Sequence, residues 1–184
     1  MTKTSTESPL YWSLLQMDRW SIHLAATTRG LCYVGSHGQP FAELLAWANR
    51  RFPGSPLVED EARIRPYSEQ LNRYLRGQLE CFNLPMDAPG TAFQREVWQA
   101  LVEIPYGRTE SYSDIAFKIS KPSAVRAVGA AIGANPLLII IPCHRVIGKN
   151  GALTGYRGGL DMKARLMELE QDYGKKEKVI HEAF

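Results

Sequence analysis

The sequence predicts an α/β N-terminal domain over residues 1–90 followed by a mostly helical C-terminal domain with a helix-turn-helix over residues 91–184. Three observations carry this prediction. Apolar segments 20–26 and 31–34 flank Thr28-Arg29-Gly30 and read as a β-hairpin. Pro85 and the pair Pro89-Gly90 interrupt any regular element and mark a short linker near residues 83–90. Beyond it, two short helical segments lie about a tight turn at Ser120-Lys121-Pro122.

In the first unit, residues 41–51 and 67–78 carry helical apolar spacing, and nothing there points to chemistry, so this half is expected to be chemically silent. The second unit opens on Thr91-Ala92-Phe93-Gln94, in which a threonine hydroxyl and a glutamine amide three residues on can satisfy each other's free backbone N–H groups. Phe93, Val97 and Leu101, with Trp98 and Ile104 beside them, form the buried face of the helix that follows, which ends by Pro105. A turn at Tyr106-Gly107 and a short segment to Ser111-Tyr112 lead into helices over 113–119 and 123–133. Asn135-Pro136 then breaks the chain, and the apolar run 137–141, too short for a helix and too apolar for a sheet edge, reads as a buried strand. Glycine-containing loops at 148–151 and 155–159 precede a last helix over 161–171.

Composition bounds the function. The chain has 184 residues, 45% of them hydrophobic, enough for a real core. Its longest apolar run falls far short of the ~20 residues that span a bilayer, and MTKTSTESP lacks the basic and apolar parts of a leader peptide, so a cytosolic monomer without a membrane partner is expected. Cys32, Cys81 and Cys143 are too few and too far apart for a disulfide framework, and no ligand pair among His23, Cys32 and His37 has a recognised spacing, so free thiols and no metal are expected. The net charge of +3 is unevenly spread: residues 1–90 hold 9 basic and 9 acidic side chains, residues 91–184 hold 13 and 10. Within residues 106–165, nine Lys or Arg face only Glu110, Asp114 and Asp161, a balance that fits a polyanion as well as an ordinary solvated surface.

The helix over 123–133 has an unusual face. Val125, Val128 and Ile132 make the core stripe, and the opposite side, after Ser123 at its start, carries Ala124, Ala127, Ala130, Ala131 and Gly133 with Arg126 as its only long side chain. Small residues admit a neighbouring helix or a nucleic acid, and the place of this helix as second in a helix-turn-helix favours DNA. Reading bases in the major groove needs several Arg, Asn or Gln side chains. A bare helix with one arginine suits the minor groove, with Arg126 taking the place of a displaced base.

The apolar run 137–141 ends in Pro142-Cys143-His144-Arg145. A cysteine beside such a run is either a small core residue or a nucleophile. The fixed backbone of Pro142 and the donors and charge of His144 and Arg145 favour a thiolate at Cys143. Neighbours in an extended chain point to opposite sides, so His144 is expected to deprotonate Cys143 through a water, held by a carboxylate. Glu170 supplies one, because it falls on the inward face of the last helix between Leu166 and Met167, whereas Glu168 points outward.

The segments FQREVWQALVEIPYGRTESYSDIA, SAVRAVGAAIGANP, IPCHRVIG and GYRGGLDMKARLMELE, in this order and spacing over residues 91–171, resemble the alkylguanine-DNA alkyltransferases, also called methylated-DNA--protein-cysteine methyltransferases. The resemblance implies direct repair of double-stranded DNA: an alkylated guanine is flipped out through the minor groove and its O6-alkyl group passes to a cysteine, with no external cofactor. It further implies Cys143 as acceptor, His144 as water-assisted base, Glu170 as the residue orienting that base, and Asn135 as a hinge that organises the site. Arg126 would fill the gap, and Tyr112 would rotate the phosphate and donate toward the departing base. The backbone near Val146 and the loop at Tyr156-Arg157 would line the guanine pocket, with the long cation of Arg157 at its rim. Residues Ser123, Ala124, Ala127 and Ala130 would face DNA. Two other readings stay open: a DNA-binding module without chemistry, against which Cys143 stands, and a Cys-His hydrolase, which turnover separates from a single-use acceptor.

Overall fold

A computed structural model describes residues 8–181, with side chains described as far as Asp172. Residues 1–7, which carry most of the leader expectation, and residues 182–184 lie outside the described residues. The N-terminal half is built on a four-stranded sheet in the order β3-β2-β1-β4. Strands β1 (Leu10–Met17), β2 (Trp20–Ala26) and β3 (Leu31–Val34) form an antiparallel meander, and β4 (Leu57–Glu59) joins β1 in parallel. The β2–β3 hairpin and helix α1 (Phe41–Arg51) have the bounds that their patterns predict. Helix α2 (Glu61–Leu75) starts earlier than residue 67, because the Asp60 carboxylate caps it by accepting from the Arg63 N–H at 3.0 Å. Pro66 lies inside this helix and removes one hydrogen bond without ending it.

The C-terminal half follows the expected order. In α3 (Ala92–Val102) the reciprocal cap forms: Thr91 Oγ1 accepts from Gln94 N at 3.2 Å, and Gln94 Oε1 accepts from Thr91 N at 2.9 Å. Helices α4 (Tyr112–Lys118) and α5 (Val125–Gly133) make the helix-turn-helix, with Ser120 in the left-handed region at the turn. Trp98 Nε1 donates to the Ala131 carbonyl at 2.8 Å and fixes α3 against α5. Ala131 is therefore part of the core and not of the bare face predicted for it. Helix α6 (Leu160–His181) closes the domain.

One apolar core runs through both halves: Leu15, Ile22, Ile64 and Leu71 pack in the same cluster as Val97, Leu101, Ile132, Leu138 and Leu166. Leu10, Cys32, Tyr33, Leu44 and Trp47 form a second cluster between the sheet and α1. Among the described residues, no helix is long and apolar enough to cross a membrane.

The apolar run 137–141 is not a strand. Only Leu137 makes a β-bridge, to Val34, and the chain then turns so that Ile141 N donates to Leu137 O at 3.0 Å. Ile139, a buried β-branched residue, sits at φ 72°, a left-handed conformation that costs about 1–3 kcal/mol and persists only where its surroundings enforce it. An unbroken apolar run shows burial but not direction, and so does not separate a strand from a buried turn.

Candidate active site

Cys143 opens a single 3-10 turn, Cys143–Arg145, rather than ending a strand. Its position is set from Asn135, which directly follows the last turn of α5 and is fully buried. The Asn135 amide nitrogen lies 3.1 Å from Cys143 Sγ and also donates to the carbonyls of Ile141 at 3.0 Å and Leu137 at 3.3 Å, while its oxygen accepts from Leu137 N at 2.9 Å. One side chain thus holds both ends of the strained turn and addresses the sulfur. The thiol is buried, and burial raises its pKa above the usual thiol value; the Asn135 donor and the charges of Arg157 and Lys163 oppose this without overcoming it. Burial thus favours the thiol, against the thiolate expected from His144 and Arg145, whose donors are engaged with Glu170 instead.

The 3-10 turn sends His144 into the protein. Its Nε2 lies 2.8 Å from Glu170 Oε1, and its buried Nδ1 meets no hydrogen-bond partner among the described residues. Glu170 is buried at the inward face of α6, as its position in the apolar stripe predicts. Arg145 grips the same carboxylate, with Nε 3.1 Å from both oxygens and Nη2 2.9 Å from Oε1, and donates through Nη1 to the Ile104 carbonyl at 2.5 Å. Gly107 N supplies a further donor to Oε2 at 2.8 Å. Burial disfavours the Glu170 charge, yet the donors from His144 and Arg145 prevail and hold the carboxyl below its usual range. Burial lowers the His144 pKa against the pull of Glu170, so the imidazole is neutral near pH 7 and the permanent charge facing Glu170 is that of Arg145.

The N-terminal half is not silent here. Tyr74, fully buried on α2, donates its hydroxyl to Glu170 Oε1 at 2.5 Å, and the same oxygen lies 3.2 Å from His144 Nε2. Nothing in the sequence distinguished this tyrosine from the apolar residues around it.

The rim is drawn together by strand pairing. β5 (Glu110–Ser111) runs parallel to β6 (Val146–Ile147), which sets the start of α4, and so Tyr112, beside the chain leaving the Cys143 turn. Tyr112 Oη donates to the Thr154 carbonyl at 3.2 Å, and the ring lies against Gly129 of α5. Lys163, another residue that the pattern reading missed, is buried on α6 and donates to the carbonyls of Val146 and Thr154. The Tyr156 hydroxyl is buried with no hydrogen-bond partner among the described residues, and burial followed by the proximity of Cys143 raises its pKa well above the usual phenol value. Arg157, predicted to stand at the rim, is folded back as a clasp. Its guanidinium donates to the carbonyls of Asn135 at 3.0 Å, Val34 at 2.7 Å and Pro136 at 3.3 Å, and reaches Glu43 at 3.5 Å.

Two family models cover most of the chain. Residues 10–88 match the 6-O-methylguanine DNA methyltransferase, ribonuclease-like domain, and residues 92–172 match the 6-O-methylguanine DNA methyltransferase, DNA binding domain. The inducible methylated-DNA--protein-cysteine methyltransferase of Bacillus subtilis is 59% identical over 162 residues, 88% of this chain and 90% of that protein. The chain belongs to the methylated-DNA--protein-cysteine methyltransferase family. A Methanosarcina barkeri member is 42% identical over 89% of this chain and 98% of its own. The O6-methylguanine methyltransferase of Mycobacterium tuberculosis superposes with a TM-score of 0.77 at 38% identity, covering 89% of this chain and 94% of that one. The M. tuberculosis OGT solved in complex with DNA gives 0.76 at 39% identity over the same shares.

In this methyltransferase-family chain the bare face of α5 is only partly as predicted. Arg126, Ala127 and Ala130 are exposed, Ser123 is exposed in the turn just before α5, and Ala124 at its cap is half-buried. The inward residues Val128 and Ile132 are buried. Asn135 lies two residues beyond Gly133, so the helix that carries this face runs directly into the residue touching the sulfur.

Proposed function

We propose that this chain repairs double-stranded DNA by moving the alkyl group of an O6-alkylguanine onto Cys143, once per molecule, as a monomer. Three free cysteines suit the reducing cytosol, where we place it. The observation that carries the mechanism is convergence: the Cys143 thiol, the Asn135 amide and the buried His144–Glu170 pair meet in one place, at the end of the helix with the small-residue face.

The helix-turn-helix enters the minor groove, where Ser123, Ala124, Ala127 and Ala130 allow close approach and Arg126 occupies the gap left by the extruded guanine. The flipped base lies between the backbone near Val146 and the loop carrying Tyr156, and the half-buried Tyr112 exchanges the Thr154 carbonyl for the departing base. His144 Nδ1 takes the Cys143 proton through one water. The sulfur attacks the alkyl carbon opposite O6: a C–S bond forms, the C–O6 bond breaks, and guanine leaves with the electron pair and a proton from the Tyr112 hydroxyl. Solvent then restores the proton of Tyr112 and removes that of His144. The Asn135 amide steadies the charge on sulfur during the transfer.

A thioether has no good leaving group, so the protein acts once. With excess duplex carrying one O6-methylguanine, repaired DNA is expected to plateau at one equivalent per active protein while the Cys143 peptide gains one methyl mass. Product beyond one equivalent with unmodified Cys143 would sink this reading and restore the hydrolase.

A further inference from the structure

Tyr74 belongs to α2, on the opposite side of the linker from the Cys143 turn, yet its hydroxyl meets both members of the His144–Glu170 pair. We propose that Tyr74 is a positioning residue for alkyl transfer, contributed by the N-terminal half, which fixes the imidazole of His144 with Nε2 protonated and Nδ1 as the basic nitrogen. The proposal rests on the assignment of Cys143 as acceptor and His144 as base.

A count of hydrogens fixes the tautomer. A phenol has one, and the 2.5 Å contact with Glu170 Oε1 takes it, because an ionised carboxylate can only accept. The remaining lone pairs of the Tyr74 oxygen lie 3.2 Å from His144 Nε2, and Glu170 Oε1 lies 2.8 Å from the same nitrogen. Two acceptors therefore converge on Nε2. A lone pair there would be repelled by both, whereas an N–H satisfies both. The proton on Nε2 leaves Nδ1 as the only basic nitrogen of the neutral ring, and Nδ1 is the buried ring atom that meets no hydrogen-bond partner among the described residues. Glu170 alone would favour the same tautomer, but Arg145 and Gly107 already crowd its oxygens. Tyr74 both doubles the acceptor field at Nε2 and draws charge from Oε1.

Tyr74 has the character this role needs. It is fully buried, and its ring is held against Phe82 at 5.2 Å and edge-on to Tyr106 at 5.9 Å between ring centres. Burial, followed by the Glu170 charge, raises its pKa well above the usual phenol value, so it remains a donor. Around His144 stand Glu170 and Lys163 from α6, Tyr74 from α2, Arg145 and Cys143 from its own turn, Tyr106 after α3 and Tyr156 from the loop. Of these, only Tyr74 and Arg145 share the oxygen that receives Nε2–H.

Replacing Tyr74 by Phe keeps the packed ring and removes the donor. Glu170 Oε1 then carries more charge toward His144 and makes the imidazolium easier to form. The sign follows: the acid limb of the rate profile, where His144 loses its proton, moves to higher pH. The single-turnover rate with a duplex carrying one O6-methylguanine should be followed from pH 5 to 9 in wild type and Tyr74→Phe. We expect that shift together with a rate at pH 7 lower by about tenfold, part of the 10²–10⁴ that acid–base catalysis supplies. Nitrogen NMR of wild-type protein labelled in histidine should show His144 neutral and protonated on Nε2. An unmoved limb in folded Tyr74→Phe overturns the proposal, as does an Nδ1–H tautomer in wild type. The NMR result decides if the variant does not fold. Failure of wild-type protein to gain a methyl on Cys143 sinks the assignment beneath it instead, so the two failures are told apart.

Discussion

The surroundings of Cys32 and Cys143 pose the same question to the same side chain and return different answers. Both are buried free thiols, and burial raises the pKa of each. Cys32 lies in β3 with its S–H donating to the Ala25 carbonyl of β2 at 3.3 Å, and the nearest charge acting on it is Asp87; its pKa is pushed to about 12. Cys143 faces the Asn135 amide nitrogen, with Arg157 and Lys163 as the charges acting on it. At Cys32 burial, an acceptor and an anion outweigh the backbone N–H groups of Thr27 and Cys32 itself; at Cys143 a donor and two cations prepare the sulfur to lose its proton when a reacting group arrives. Burial does not separate a nucleophile from a packing residue, but the sign of the facing groups does.

The largest effect that follows is all or nothing. Cys143→Ala is expected to abolish transfer while leaving DNA binding largely unchanged, because the exposed residues of α5 do not include the sulfur. Electrophoretic retardation of a duplex carrying O6-methylguanine, measured beside intact mass, checks both halves. Equal transfer by this variant would remove Cys143 from the mechanism.

Next is the donor itself. Asn135→Ala removes the amide from Cys143 Sγ and from the carbonyls that shape the turn. A hydrogen bond to a charged group contributes about 1.5–3 kcal/mol, so transfer should slow by about 10- to 100-fold. Asn135→Asp keeps the shape but places an acceptor, or an anion, against the sulfur, and should be slower still. Single-turnover rates rank the three proteins; an Asp variant faster than the Ala variant would contradict the account given for the two cysteines.

How much of this was legible in the sequence depended on whether a residue's role left a periodic trace. Glu170 did: an acid on an apolar stripe must have a buried partner, and the helix phase alone points it inward. Capping residues Thr91 and Gln94 did too, because their spacing is a local geometric requirement. The turn at 137–141 did not, since its reversal depends on Asn135 and on a left-handed isoleucine that no pattern favours. Tyr74 was invisible for the opposite reason. It occupies a core position of α2, where an aromatic ring needs no special explanation, and only the fold reveals that its hydroxyl meets a carboxylate ninety-six residues away. Arg157 was assigned to the rim from its loop, whereas Val34 and Pro136 supply carbonyls that turn it inward.

Arg157 sharpens the same comparison with a smaller effect, because it both acts on Cys143 by charge and ties Asn135 to the N-terminal sheet. Arg157→Ala should lower stability by about 1–3 kcal/mol, the scale of losing charged hydrogen bonds to buried carbonyls, and slow transfer several-fold. Arg157→Lys retains a cation but loses the planar fork that reaches three carbonyls at once. Recovery of rate without recovery of stability in the Lys variant would assign the rate effect to charge; recovery of neither would assign it to the clasp. Thermal unfolding and single-turnover rates measured on the same preparations separate these outcomes, and wild-type behaviour of both variants would show that the clasp does not matter.

The smallest expected effect belongs to Cys32, and it tests the comparison from its quiet side. Its sulfur fills space beneath α1 with Leu44 and Tyr33 and makes one weak hydrogen bond to Ala25. Cys32→Ala leaves a void of about one sulfur atom, and the lost burial and contacts should cost about 1 kcal/mol. The transfer rate should remain within twofold of wild type, because no group that faces Cys143 touches Cys32. Reaction of the unmodified protein with a small thiol reagent gives the complementary reading. Exposed Cys81 should label first and Cys32 last, since Cys32 lacks access and burial, with the charge of Asp87, holds its thiol up at about 12. Loss of transfer in a folded Cys32→Ala protein, or labelling of Cys32 ahead of Cys81, would mean that the groups facing a buried sulfur do not govern its chemistry in this fold.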